Sequence, residues 1–296
     1  MKPFLDVGVL GVNILTMAAV GMDLEPQHFR GITLRFPLLL TAVITQAACL
    51  PLIGWLLAKM IGLPPDIGAG ILLVAACPIG NIANFYSLLA GVNIPLSVAV
   101  SALSIGLSAG AMAVTFEVYG YLLGERFAFA VPTPDLVLNV LLILVLPVLG
   151  GMALRHWCPK WSVRHARSVH RAGLVGVAFL LIYIFISQRN QVAAEWQQTA
   201  IASGLFVALA LAGGLAFGRV LRLGSADRLT LAIGFAVRSV ALAMAVAITL
   251  MNRVEYATFA AVYFLAEIPL LLGVVAAHRW RARMPGALSR LGRVAP

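Results

Sequence analysis

The chain has 296 residues, 61% of them hydrophobic and 11% charged, with a mean hydropathy of +0.99. A soluble domain averages about 25% charged residues, so this composition excludes a water-soluble globule and indicates an all-α polytopic membrane protein. The net charge of +10 is concentrated at span ends, a topology signal rather than a nucleic-acid surface, and no nucleic-acid partner is expected.

Apolar length divides the chain into about nine transmembrane helices in one transport-sized unit, 1-296. The first, about Phe4 to Met22, lacks the small-residue cleavage pattern of a removed signal peptide. The second, about Phe36 to Ile61, carries Gln46 and Pro51. The third, about Asp66 to Leu89, contains Cys77-Pro78-Ile79-Gly80-Asn81-Ile82-Ala83-Asn84 at its centre. Pro78 lacks an N–H and crowds the preceding turn, and Gly80 adds backbone freedom, so the helix is predicted to break there. Hydrocarbon cannot satisfy the freed carbonyls, which restricts such a break to a protein-buried or wet site. It is either a kink glued by its amides or a binding site of the kind discontinuous helices build in secondary transporters.

The fourth span, about Leu96 to Leu122, is rich in Ser, with Gly106 and Gly110 at a spacing that favours close packing. The fifth covers about Leu136 to Leu154, and a basic loop, Arg155–Arg171, leads to the sixth, about Ala172 to Ser187. The seventh, about Thr199 to Phe217, the eighth, about Leu229 to Met251, and the ninth, about Ala257 to Ala277, precede a basic tail. Three cysteines (Cys49, Cys77, Cys158) form no disulfide or metal pattern, and the five histidines are expected in loops or at helix ends. No cofactor is implied.

Lys and Arg divide five to fifteen between the two sides. The richer side belongs in the cytoplasm, which places the N-terminus outside and the C-terminus inside a cell inner (plasma) membrane. The remaining cation, Arg238, stands in the middle of the eighth span, with Glu267 at similar depth in the ninth. A charge there costs roughly 2.5–3.5 kcal/mol on insertion scales, so the two are predicted to partner one another, as a structural ion pair or with Arg238 reaching a substrate anion or ion site. Polarity and position also suggest inverted repeats: 1-124 with four helices, 134-279 with five, then a basic cytoplasmic tail over 280-296. The third span then pairs with the eighth, which puts Asn81, Asn84, Arg238 and Ser239 at one interface.

Gly21-Met22-Asp23-Leu24…His28-Phe29-Arg30, Gln46 before Pro51, the Cys77–Asn84 stretch and Asn93-Ile94-Pro95-Leu96-Ser97-Val98-Ala99-Val100-Ser101 resemble the bile acid:sodium symporter family over nearly the whole chain. The resemblance implies a core domain with two broken helices crossing at mid-membrane, a panel domain, alternating access, and transport of organic anions with two sodium ions. It also implies ion ligands at Gln46, Asn84, Ser97 and Ser101. It places Ala83 where a serine is expected, Gly234 at the family glutamate, Arg238 at its glutamine and Ser239 at its asparagine. The carboxylate that neutralises sodium is therefore missing, and a guanidinium stands nearby. The expectation is a secondary transporter of small organic anions in which Arg238 replaces a sodium ion in charge and conventional two-sodium coupling is absent. Alternatives are metalloid-anion efflux through Cys77, a proton-coupled or uncoupled carrier, and a substrate sensor. No intramembrane metal motif or Ser/His pairing suggests an enzyme.

Overall fold

The structure is a computed structural model that describes residues 2–23, 35–123 and 133–291. Leu24, His28, Phe29 and Arg30, quoted above, and the end of the expected 280-296 tail lie outside them.

The described residues are helical throughout, with no strand: α1 Lys2–Asp23, α2 Phe36–Ile61, α3 Pro65–Ala76, α4 Ile82–Ala90, α5 Ile94–Leu123, α6 Thr133–Trp157, α7 Pro159–Ser187, α8 Arg189–Val220, α9 Ser225–Ala236, α10 Val240–Ala245 with a π-helical continuation Val246–Leu250, and α11 Val254–Leu291. Each of the expected apolar stretches coincides with a helix or a pair of half-helices. Six helices among the described residues are individually long and apolar enough to cross a membrane. The short apolar helices include α3 and the Val240–Leu250 segment, which are short because the chain breaks beside them.

The helix ends follow local chemistry. α2 stops at Gly62 in the left-handed conformation (φ 70°), which costs glycine nothing. α3 starts with Pro65 in its first turn and Asp66 near its N-terminus, both favourable there. It ends because Cys77 precedes Pro78 and is pushed to extended geometry (φ −62°, ψ 154°). α9, 12 residues long like α3, ends at an extended Val237 (φ −98°, ψ 114°) with no proline or glycine to cause it.

Helix packing divides the molecule unevenly. α1, α6 and α7 pack on one another, while α2–α5 and α8–α11 surround the two breaks. The first group rests on a close crossing: a Cβ on Gly21 would lie 2.1 Å from the Val148 carbonyl oxygen, and one on Gly151 2.1 Å from that of Ala18. The expected close packing at Gly106 and Gly110 is not made, since a Cβ at either would meet nothing within 4 Å. The basic stretch is also not a loop. After Cys158 the helix resumes at Pro159 and runs through His165 and His170, so those two histidines are on a helix body. The tail expected after Ala277 likewise continues α11 as helix to Leu291.

Gly151→Ala is expected to cost about 1–3 kcal/mol, read as a lowered melting temperature in detergent. Gly106→Ala should stay within about 0.5 kcal/mol of the parent. Equal losses would refute the asymmetry.

Candidate functional site

The two breaks lie against each other. Ile79 and Arg238 form an isolated antiparallel bridge. It is flanked by hydrogen bonds from Gly80 N–H to the Val237 carbonyl (3.1 Å) and from Ser239 N–H to the Pro78 carbonyl (3.0 Å). The Ile79 N–H, left over by the bridge, donates to Ser104 Oγ on α5 (3.1 Å). Each break thus satisfies backbone groups the other exposes, as low-dielectric surroundings demand. Gly80 makes the approach possible, because a Cβ there would fall 2.6 Å from the Arg238 carbonyl oxygen.

Arg238 is buried at 4% exposure, and its guanidinium turns toward the end of α3. One terminal nitrogen donates to Gln46 Oε1 on α2 at 2.9 Å. The other donates to the Cys77 carbonyl and more distantly to that of Ala75 (3.5 Å). These carbonyls are the negative end of a half-helix, where a cation is favoured. Nε of Arg238 and Nε2 of Gln46 have no protein partner. Both residues line a narrow cleft between α2 and α5, together with Cys77, Pro78, Ser104 and Ser108.

The expected direct pairing of Arg238 with Glu267 is not made. Glu267 is fully buried, yet neither carboxylate oxygen receives a well-formed hydrogen bond. Its polar neighbours are Tyr263 and Arg238. The Tyr263 hydroxyl accepts from Arg238 N–H (3.2 Å) and donates to the Ala236 carbonyl. Tyr263 therefore serves the broken backbone of α9 while standing next to the carboxylate, and the guanidinium has gone to the other side. Depth alone had suggested the pair. The competing attraction, unpaired carbonyls at a helix end, leaves no mark on residue type.

A second cluster lies on the other half of the first break. Asn84 Oδ1 accepts from Ser97 Oγ (2.8 Å), and Ser97 in turn accepts from Ser87 Oγ (3.1 Å). Ser101, one turn along α5, is buried with its Oγ unpartnered. No carboxylate joins the cluster at the Gly234 position: a Cβ there would meet the Ile79 Cδ1 at 3.3 Å and Val100 Cγ1 at 3.9 Å, an apolar setting. Asn81 and Ser239 occupy the N-cap positions of α4 and α10, and neither side chain caps its helix. Asn81 instead bonds His170 on α7 (3.2 Å). Cys77 is fully buried, at the C-cap of α3. Of the expected site residues, the fold joins Gln46 with Arg238 and Asn84 with Ser97. Tyr263, Ser87, Ser104 and His170 were not anticipated; only hydroxyl spacing along α5 pointed toward Ser104.

A model of the sodium bile acid symporter family matches residues 10–195. Across 95% of its length the chain is 28% identical to a probable chloroplastic sodium/metabolite cotransporter BASS1 of Arabidopsis thaliana, covering 68% of that protein. It is 31% identical over 62% of its length to sodium/bile acid cotransporter 5 of Rattus norvegicus, covering 43% of it. It is also 29% identical over 55% of its length to the sodium-dependent transporter YocS of Bacillus subtilis (strain 168), covering 48%. The chain thus spans about two thirds of the plant relative (68%) and under half of the other two (43% and 48%).

Replacing Arg238 by Ala strands the Cys77 carbonyl and Gln46 Oε1, at an expected cost of about 3–5 kcal/mol. Gln46→Ala added to that variant should cost little more, a non-additivity of about 1–3 kcal/mol by thermal melting. The Arg238/Glu267 cycle should show the smaller coupling. Additive losses for Arg238 and Gln46 would mean that the guanidinium is held elsewhere.

Proposed function

The chain belongs to the sodium bile acid symporter family, a transporter and not an enzyme family, and from that premise we propose that it carries small organic anions by alternating access with Arg238 as a built-in cation. The observation that carries the reading is the guanidinium held by Gln46 and the carbonyls ending α3. Half-helix C-terminal ends and unwound carbonyls are where such carriers coordinate a cation, and Gln46 is a residue the resemblance assigns to ion binding. A sodium ion placed beside the guanidinium would be repelled by several kcal/mol at an effective dielectric near 20. The apolar surroundings of Gly234 supply no counter-charge for one elsewhere.

The anion site is assigned to the opposite ends of the same crossing, at Asn81 and Ser239, whose helices begin uncapped. Helix N-termini favour negative charge, and Arg238 keeps the crossing positive without a bound ion. The relatives are named for sodium with bile acids or metabolites, which supports an organic anion as cargo. We read α1, α6 and α7 as the panel that moves against the remaining helices as core, with 1-124 and 134-279 as inverted repeats around them. The N-terminus is assigned to the outside and the C-terminus to the cytoplasm on the charge count.

Uptake of a carboxylate panel into proteoliposomes should proceed without sodium and should not respond to a sodium gradient. Sodium should also leave the wild-type melting temperature unchanged. The double variant Gly234→Glu with Arg238→Gln restores the family glutamate and glutamine, and a Cβ at Gly234 would meet the end of the Ile79 side chain at 3.3 Å and Val100 Cγ1 at 3.9 Å, with no backbone in the way. It is expected to gain saturable sodium stabilisation, about 2.7 kcal/mol at a hundredfold excess over Kd. Sodium stabilisation of the wild type that Asn84→Ala abolishes would overturn the built-in cation.

A further inference from the structure

One chain of hydrogen bonds ties the α1/α7 side of the molecule to the crossing. Asp23 Oδ2, on the last residue of α1, lies 2.7 Å from His170 Nε2. His170 Nδ1 lies 3.2 Å from the Asn81 amide nitrogen. A carboxylate at Nε2 accepts, so that nitrogen carries the hydrogen and Nδ1 presents a lone pair. The Asn81 Nδ2–H donates to it, which turns Asn81 Oδ1 away from the ring. Unlike Arg238 and Glu267, these groups are reached by water: the His170 and Asp23 side chains are 33% and 45% exposed. Asp23 is the ring's one ionic partner among the described residues. The other elements packed against α7 bring Arg155 and His156 on α6, Glu195 on α8 and Glu267 on α11, and α4 brings the neutral Asn81 to the ring.

We infer that His170 is a proton-binding site coupled to anion binding at the crossing through reversal of the Asn81 amide. A proton added at Nδ1 converts an acceptor into a donor, and two N–H groups cannot face each other. The amide therefore turns. Its Oδ1 accepts from the imidazolium, and its two Nδ2 hydrogens swing toward the break, where a carboxylate docks. With the ring neutral, the amide oxygen takes that place and repels the anion. One proton enters with one anion and leaves with it; the N–H bond at Nδ1 is the only bond formed or broken. Coupling of this kind is reciprocal, so the anion also favours protonation of the ring. The inference rests on the anion site proposed above and names the proton as the ion that accompanies its cargo.

The test uses the full chain, first as purified protein and then in proteoliposomes. Ring nitrogen NMR, with His170 assigned by the signal lost in His170→Gln, should show the Nε2–H tautomer at high pH. The ring's titration should move in Asn81→Ala, where no amide opposes the imidazolium. A Nδ1–H tautomer, or an unmoved titration, overturns the inference without reference to any cargo. Counterflow of radiolabelled pyruvate and taurocholate, both fully ionised across the range, is then measured from about pH 8 to about pH 5.5. The wild-type KM should fall about 5- to 50-fold toward acid pH with little change in maximal rate. His170→Gln should flatten that profile, and Asp23→Asn should displace it along the pH axis. A KM that falls equally in His170→Gln, or a displaced maximal rate with constant KM, overturns the coupling. Absence of counterflow by the wild type at every pH counts against the carrier reading, and the NMR result then decides the proton site alone.

Discussion

Two main-chain hydrogen bonds, from Gly80 N–H to the Val237 carbonyl and from Ser239 N–H to the Pro78 carbonyl, hold a short antiparallel pairing in the middle of a helical protein. In water each would contribute roughly 0.5–1.5 kcal/mol. In hydrocarbon the comparison changes, because an unpaired backbone group there costs several kcal/mol. Neither break is tolerable alone, and together they are. Most of what surrounds the crossing follows from closing this account: Ser104 takes the Ile79 N–H, Tyr263 bridges Arg238 N–H and the Ala236 carbonyl, and the guanidinium takes the Cys77 carbonyl. Gly80 admits the partner backbone where any side chain would collide. The polar residues that mark this region as a site are thus also the ones that let it exist.

The first break could be read from the chain because its cause is local. Pro78 removes a donor and forces Cys77 extended, whatever packs around it. The second had no such signature, since Ala236-Val237-Arg238-Ser239 contains neither proline nor glycine. It was expected from the family resemblance, together with polarity at mid-depth and the pairing of the eighth span with the third. Its actual cause is tertiary: the Val237 carbonyl and the Ser239 N–H leave the helical ladder to pair with Gly80 and Pro78. The π-helical turn over Val246–Leu250 had no signal of any kind. The basic stretch misled for the opposite reason. Its charge density fits a solvated loop, but helix propensity is indifferent to charge of that sort, and a proline at the first turn of α7 starts the helix early.

The electrostatic layout corrects an intuition that serves well in soluble proteins. Opposite charges at equal depth invite pairing, and Arg238 and Glu267 are the two formal charges nearest the crossing. A guanidinium offers five donors and a carboxylate accepts at two oxygens, so a single pair would leave several arginine N–H groups and two or three carbonyls stranded. Sending the guanidinium to Gln46 and the end of α3 satisfies more groups than the ion pair would. Glu267 remains one side chain away, beside Tyr263. The arrangement matters for function. A crossing that carries its own cation keeps that charge without a bound ion, whereas one built on glutamate and vacant oxygen ligands gains it only when a metal cation arrives.

That difference shifts where a carrier of this kind must find its driving force. An ion that fills a structural role each cycle is coupled by necessity, because the crossing is unstable without it. Once arginine fills the role permanently, the coupling is lost unless another mobile charge meets the cargo. Most polar groups of the crossing itself are buried: Arg238, Gln46, Ser97 and Ser101 are all 4% exposed or less, while Asn81 and Asn84 are half-buried. A mobile charge must come and go through water, and the group that touches both the break and water is on the neighbouring unit, where Asp23 and His170 reach Asn81. On the proposed carrier reading, placing the exchangeable charge on α1 and α7, and the permanent one on α9–α10, would separate what moves from what holds. A contact across that boundary would change with the relative position of the two helix groups, whereas the Arg238 contacts lie within one of them and would survive its movement intact.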